Sequence, residues 1–226
     1  MLAWFIGFST AMEIAEGLVA LLTCYYALRF YGLTGEKSLL WFHVAFLLLG
    51  VGLMAHGIST GAVLFFLVSR LGPALAMGIL RAMALVLFLC EAVGYGALTF
   101  SYVRTGREEG PGGGGTELVL LSAAAPIGRR PVIAPEELIR WIRYHPLLEG
   151  VVLVMLVYLA FRTVYGLTGR GGLGSFLVGF AFLFLTIAHA CFMLSPVLAS
   201  LYVIAHIFQL LAFTCFLGVV LRVMTA

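Results

Sequence analysis

Aspartate and asparagine are absent from this chain, and lysine and glutamine each occur once, at Lys37 and Gln209. Without aspartate, the phosphoryl-transfer enzymes that hold Mg²⁺ through that residue are disfavoured. There is also no P-loop, no His-Glu-x-x-His and no Gly-x-Ser-x-Gly to carry hydrolytic or nucleotide chemistry. No catalytic residue and no metal ligand set is assigned, and the chain reads as a non-enzymatic protein. The shortage of readily deamidated side chains suits a hot environment, which points to a thermophile. Cysteine is sparse too. Cys24, Cys90, Cys191 and Cys215 each sit in an apolar stretch with no Cys-x-x-Cys pair. They read as small buried hydrophobes, not a disulfide framework or zinc site.

Charge is the scarcest property. Only 10% of the 226 residues are charged, 63% are hydrophobic and the mean hydropathy is +1.13. Soluble domains usually carry about 25% charged residues. A water-soluble fold of this size has no room to hide so much apolar surface, so the bilayer is its solvent and first partner. The 13 basic and 10 acidic residues nearly balance. The basic ones fall at span ends and not on one patch, which excludes nucleic acid as a partner. Other membrane subunits, or further copies of the chain, remain possible partners. The first apolar stretch lacks a basic leader and a small-residue cleavage signature, so it reads as a retained span.

A span needs about 20 apolar residues. The spans expected are Leu2 to Tyr31, a second from Leu39 past His56, then Leu147 to Tyr165, Ser175 to Leu194 and Val197 to Val223. The region from Gly57 to Arg104 divides in two ways. It is either the end of the second span plus one long helix from Pro73, or two further spans broken around Arg70 to Arg81. Residues 105–146 change character, with a four-glycine run at Gly112 to Gly115 that reads as a linker. Within it, Pro135 to Tyr144 (P-E-E-L-I-R-W-I-R-Y) has the start and stop signals of an amphipathic surface helix. The alternative is an extension of the next span. The fold class is therefore all-α, a polytopic transmembrane bundle of six spans, with seven as the alternative. It divides into a first helical unit at 1–104, a linker at 105–146 and a second unit at 147–226.

The two units match each other. Glu16-Gly17 leads to Arg29 and Tyr31-Gly-Leu-Thr-Gly35; Glu149-Gly150 leads to Arg162 and Tyr165-Gly-Leu-Thr-Gly169. The second copy carries one extra residue between its arginine and tyrosine. Glu16 to His56 and Glu149 to His189 are both 40 residues apart. This points to an internal duplication. At about 1.5 Å rise per residue, each helical hairpin returns its histidine to a depth similar to that of its glutamate. With six spans the halves are inverted, and eight basic residues fall on the linker's side against four opposite. The positive-inside rule then makes linker 105–146 cytoplasmic, in a cell-membrane protein with both termini outside. With seven spans the halves are parallel and the charge bias vanishes.

Ionisable residues inside hydrocarbon are costly and therefore candidates for function. Here they are Glu16, His56, Glu149, His189, Arg81 and Glu91, and Glu13 shares a helix face with Glu16. Two chemistries follow. Paired carboxylate and imidazole groups (Glu16 with His56, Glu149 with His189) suit proton or ion coupling in a small transporter-like protein. Alternatively, His43, His56, His189 and His206 include ligands for one haem b, which would make the chain a b-type cytochrome or quinone-interacting subunit of an electron-transfer complex. His43 and His56 lie about 220° apart around one helix and cannot serve stacked haems. No cofactor is required by the first reading. The plainest reading is that Glu and His hydrogen-bond across each hairpin and hold it together, in an accessory subunit of a larger complex.

Overall fold

A peptide group in hydrocarbon has no water to satisfy it, so apolar runs of this length close their hydrogen bonds internally as helices. The computed structural model describes residues 2–63, 73–107, 146–167 and 173–225. Their elements are α1 (Leu2–Thr34), α2 (Lys37–Ala62), α3 (Pro73–Arg107), α4 (Pro146–Leu167), α5 (Leu173–Leu194) and α6 (Ala199–Thr225). All six are long and apolar enough to cross a membrane, and no strand occurs among the described residues. The described residues are thus all-helical, and their six apolar helices are those of a multi-pass membrane protein by length and composition.

Each expected span coincides with a helix. The ambiguous region becomes the end of α2 and one long α3, the first of the two divisions. The last helix starts at Ala199 rather than Val197, because the turn uses those residues. Pro196 has no N–H to continue α5, and the Val197 and Leu198 amides donate back to the Leu194 carbonyl at 3.0 and 3.4 Å. The glycine run, the apolar stretch 118–127 and the expected surface helix at Pro135 to Tyr144 lie outside the described residues.

The first Tyr-Gly-Leu-Thr-Gly corner closes α1. Gly35 takes φ +69°, and its amide donates to the Tyr31 carbonyl at 2.8 Å. This left-handed cap is open to glycine at no steric cost. In the second copy, Tyr165 to Leu167 form the end of α4, and Thr168 and Gly169 lie outside the described residues.

The helices pack as a closed ring, α1 to α6 in order, with α6 returning against α1. Contacts give their directions. Along α2 and α6, Phe42 meets Phe216 whereas Phe46 meets Phe213, so these helices are antiparallel. Along α3 and α5, Tyr95 meets His189 whereas Tyr102 meets Phe182, again antiparallel. Short turns make α1 and α2, and α5 and α6, antiparallel hairpins, and Glu149 pairs with His189 across α4 and α5. Hence α1, α3, α4 and α6 run one way and α2 and α5 the other. The expectation that six spans imply inverted halves does not hold in these helices. Arg107 and Pro146 lie at opposite ends of the bundle, whereas that expectation placed them on one side.

With lipid outside, apolar burial does not drive the helices together; close packing and hydrogen bonds do. Gly17 and Gly50 let α1 and α2 touch. A Cβ on Gly17 would meet Met54 Cγ at 2.7 Å, and one on Gly50 would meet Leu21 Cγ at 2.8 Å. The interior is filled by aromatic rings: Phe46 and Phe182 pack on Phe216 with centroids 5.1 and 5.0 Å apart. Valines and phenylalanines such as Val154 and Phe161 point outward.

The helix directions can be checked by labelling in a cysteine-free background. Leu33→Cys and Tyr165→Cys should react with an impermeant thiol reagent from the same side of the membrane, and Val197→Cys from the other. Inverted halves would instead place Val197→Cys with Leu33→Cys.

Candidate functional site

Charged groups withdrawn from both water and lipid need partners within the bundle. Glu13, Glu16, His56, Glu91, Glu149, His189 and His206 are all buried, and their partners are largely one another.

The first cluster joins α1, α2 and α6. His56 Nδ1 lies 2.6 Å from Glu13 Oε2, and His206 Nδ1 lies 2.9 Å from Glu16 Oε1. Ser9 donates to Glu13 Oε1 at 3.0 Å, and the Ser9 and Tyr202 hydroxyls are 2.7 Å apart. Tyr202 also donates to Glu13 Oε1 at 3.4 Å. Two carboxylates therefore share two imidazoles and two hydroxyls. Gly57 makes the geometry possible. A Cβ there would sit 3.0 Å from Glu13 Cβ and 3.4 Å from Glu13 Oε2, so the carboxylate reaches His56 only because that side chain is missing.

The second cluster joins α3, α4 and α5. His189 Nδ1 lies 2.6 Å from Glu149 Oε2, and its Nε2 is 3.3 Å from the Tyr95 hydroxyl. Glu91 completes the group: one ligand atom each from Glu91, Glu149 and His189 lie within 4.8 Å of one another. Phe192 stands between the clusters, its ring centroid 5.9 Å from His189 and 4.9 Å from His206. The two clusters thus form one polar layer across the bundle, with an aromatic ring in its middle.

The expected candidates sort as follows. Glu149 and His189 meet as the hairpin spacing suggested. Glu16 and His56 do not meet through the bonds above: His56 turns to Glu13, one helical turn away, and Glu16 reaches across to His206. Glu91 is buried beside the second pair. Arg81 lies on the exposed side of α3, away from this layer. His43 is also apart, half-buried, with its Nδ1 3.0 Å from the Cys24 carbonyl oxygen and 3.1 Å from Cys24 Sγ. Of the four alternative haem ligands, His189 and His206 both pack edge-on against Phe192. A separate apolar cavity beside Phe42, Leu98 and Tyr102 is lined by none of the candidates.

Ser9, Tyr95, Tyr202 and Gln209 belong to the buried polar set but were not among the candidates, and Glu13 was noted only for sharing a face with Glu16. Helical spacing carried the signal. Ser9, Glu13 and Glu16 fall at i, i+4 and i+7, as do Tyr202, His206 and Gln209, and Glu91 and Tyr95 are four apart. Each set lines one helix face.

A side chain at position 57 should break the first cluster. Gly57→Leu is expected to cost about 1–3 kcal/mol by overpacking, seen as a lower melting temperature in detergent. Gly78→Leu, at a position with nothing within 4 Å of an added Cβ, should melt like the parent. Equal melting of the two variants would show that α1 and α2 are not in close contact at Glu13. No protein-family model, curated protein or solved structure matches this chain.

Proposed function

We propose that the chain is a small transporter-like membrane protein built from two related three-helix units, in which the buried glutamates and histidines take up and pass on protons. One observation carries this reading: three carboxylate–imidazole hydrogen bonds of 2.6 to 2.9 Å lie in one buried layer. Such pairs exchange a proton over a short distance, and the Ser9 and Tyr202 hydroxyls extend the path beyond Glu13. A structural hairpin clasp would need one such pair, not seven titratable groups, each of them costly to withdraw from water.

The location of the layer supports the same reading. With α1–α3 and α4–α6 as the two units, the Glu16–His206 contact bridges one seam between them, and Glu91 faces Glu149 across the other. Transporters built from parallel repeats, related by an axis along the membrane normal, place their sites at the repeat interface; here the layer lies there too, toward the end of the bundle opposite Gly35, with Glu149 in the first turn of α4. The ring order of the helices and their shared directions fit such a duplication. So does the presence of Tyr31 and Tyr165 at the same end of the bundle.

That end also collects the described basic residues other than Arg81: Arg29, Lys37, Arg104, Arg107, Arg162 and Arg222. By the positive-inside rule it is the cytoplasmic end of a cell-membrane protein. The surface around the ring is apolar and faces lipid. The linker expected on the cytoplasmic side falls, at 108–145, outside the described residues.

Proton movement is tested in liposomes. The chain should carry a proton flux under an imposed pH gradient, and the double variant Glu16→Gln, Glu149→Gln should lose at least about a hundredfold of it, the lower end of the range for a positioned acid–base group. An unchanged flux in the double variant would exclude coupling through these pairs. For the electron-transfer alternative, the purified protein should show no Soret band; a band that disappears with His189→Ala or His206→Ala would favour the cytochrome reading instead.

A further inference from the structure

We propose that Glu91, Glu149 and His189 form a site for one divalent transition-metal cation at the seam between α3 and α4. The site shares its residues with the proton-handling layer and so rests on that reading's geometry, but it turns on Glu91, which takes part in none of that layer's three carboxylate–imidazole hydrogen bonds.

The argument starts from a shortage of donors. In the first cluster two carboxylates meet two imidazoles and two hydroxyls; Glu16 Oε2 has no partner there, but Glu16 is held through Oε1 by its own imidazole, His206. In the second, two carboxylates meet one imidazole, and the tyrosine hydroxyl is spent on that imidazole. Glu91 is 1% exposed, and its Oε1 has no hydrogen-bond partner among the described residues. A buried carboxylate oxygen left without a donor is expensive. No described arginine or lysine is placed to neutralise it. Arg81 is ten residues earlier on the same helix, about 15 Å along the axis, and on its exposed side. The cluster therefore has an open carboxyl oxygen that a cation would satisfy, binding with release of the carboxyl protons.

The geometry agrees. One donor atom from each residue lies within 4.8 Å of the other two. Around zinc at about 2.0–2.2 Å from each ligand, tetrahedral donors stand roughly 3.4 Å apart, so a small inward shift of the side chains closes the site. Three protein ligands leave a position open for water or substrate, the pattern of an exchangeable or reactive metal, not a purely structural one. His189 is held at Nδ1 by Glu149 at 2.6 Å, so a metal would take its Nε2 and displace the longer, 3.3 Å contact with the Tyr95 hydroxyl, leaving one ring nitrogen to orient the ring as metal-binding imidazoles usually do. The ligand set selects the metal class. Carboxylate oxygens with an imidazole and no thiolate suit Zn²⁺, Mn²⁺ or Fe²⁺, and the nitrogen ligand disfavours Mg²⁺ and Ca²⁺.

The test uses the full chain in detergent. Protein stripped with a chelator and exchanged into buffer is titrated with Zn²⁺, and bound metal is measured by mass spectrometry. The parent should retain one Zn²⁺ more than Glu91→Gln, and this variant should weaken binding at least about tenfold, the lower bound for loss of even a supporting ligand. Glu91→Gln is isosteric and should keep the parent's helicity and elution volume. Glu13→Gln, in the other cluster, should bind like the parent, and Mg²⁺ at the same concentration should not compete. Absence of Zn²⁺ binding by the parent, or equal binding by Glu91→Gln, would overturn the site. Metal content is read without a pH gradient and flux without added metal, so failure of one proposal leaves the other standing or falling by its own measurement.

Discussion

The bundle depends on one constraint: an ionisable side chain removed from water and surrounded by lipid has to find its counterpart on a neighbouring helix. Desolvation penalises each buried carboxylate far more than it penalises the apolar residues beside it. The imidazole is the natural partner, since it offers a ring nitrogen at hydrogen-bond distance and shares a proton without needing a permanent charge. Glu13 with His56, Glu16 with His206 and Glu149 with His189 are three solutions to that constraint, and between them they tie together every helix of the ring except α3. Tyr95 supplies the link to α3.

Close backbone approach is what lets these short reaches succeed. A glutamate side chain extends only a few ångströms, so the helices carrying its partners must come nearly into contact. Gly57 opposite Glu13, and Gly17 opposite Gly50, provide that approach on the α1–α2 side. The aromatic rings take the opposite role. Phe46, Phe182, Phe213 and Phe216 fill the interior toward the Gly35 end, and Phe192 separates the two polar clusters. Polar chemistry is thereby confined to one layer, held by packing on one side and divided by a ring in its middle.

The two clusters are alike in kind and different in balance. Each has a glutamate, a histidine and a tyrosine drawn from three helices. The first also has a second glutamate matched by a second histidine. The second has a second glutamate, Glu91, that nothing described matches. Under the duplication proposed here, the two sites are divergent copies of one arrangement of glutamate, histidine and tyrosine.

The medium was legible from composition, because 10% charged residues cannot solvate a folded surface in water. Helix positions were legible from apolar runs and from local breakers such as Gly35 and Pro196, because helix formation and its interruption are local events. The depth match within a hairpin was legible too, because helical rise converts sequence distance into height, and it brought Glu149 to His189. What sequence separation could not supply was the rotation of each helix and its neighbours around the ring. A single turn moved His56 from Glu16 to Glu13, and His206 came in from a helix 190 residues away to take Glu16. The relative direction of the two halves was decided in the same way. It depends on which faces pack against which, and only the assembled contacts among α2, α3, α5 and α6 carry that information.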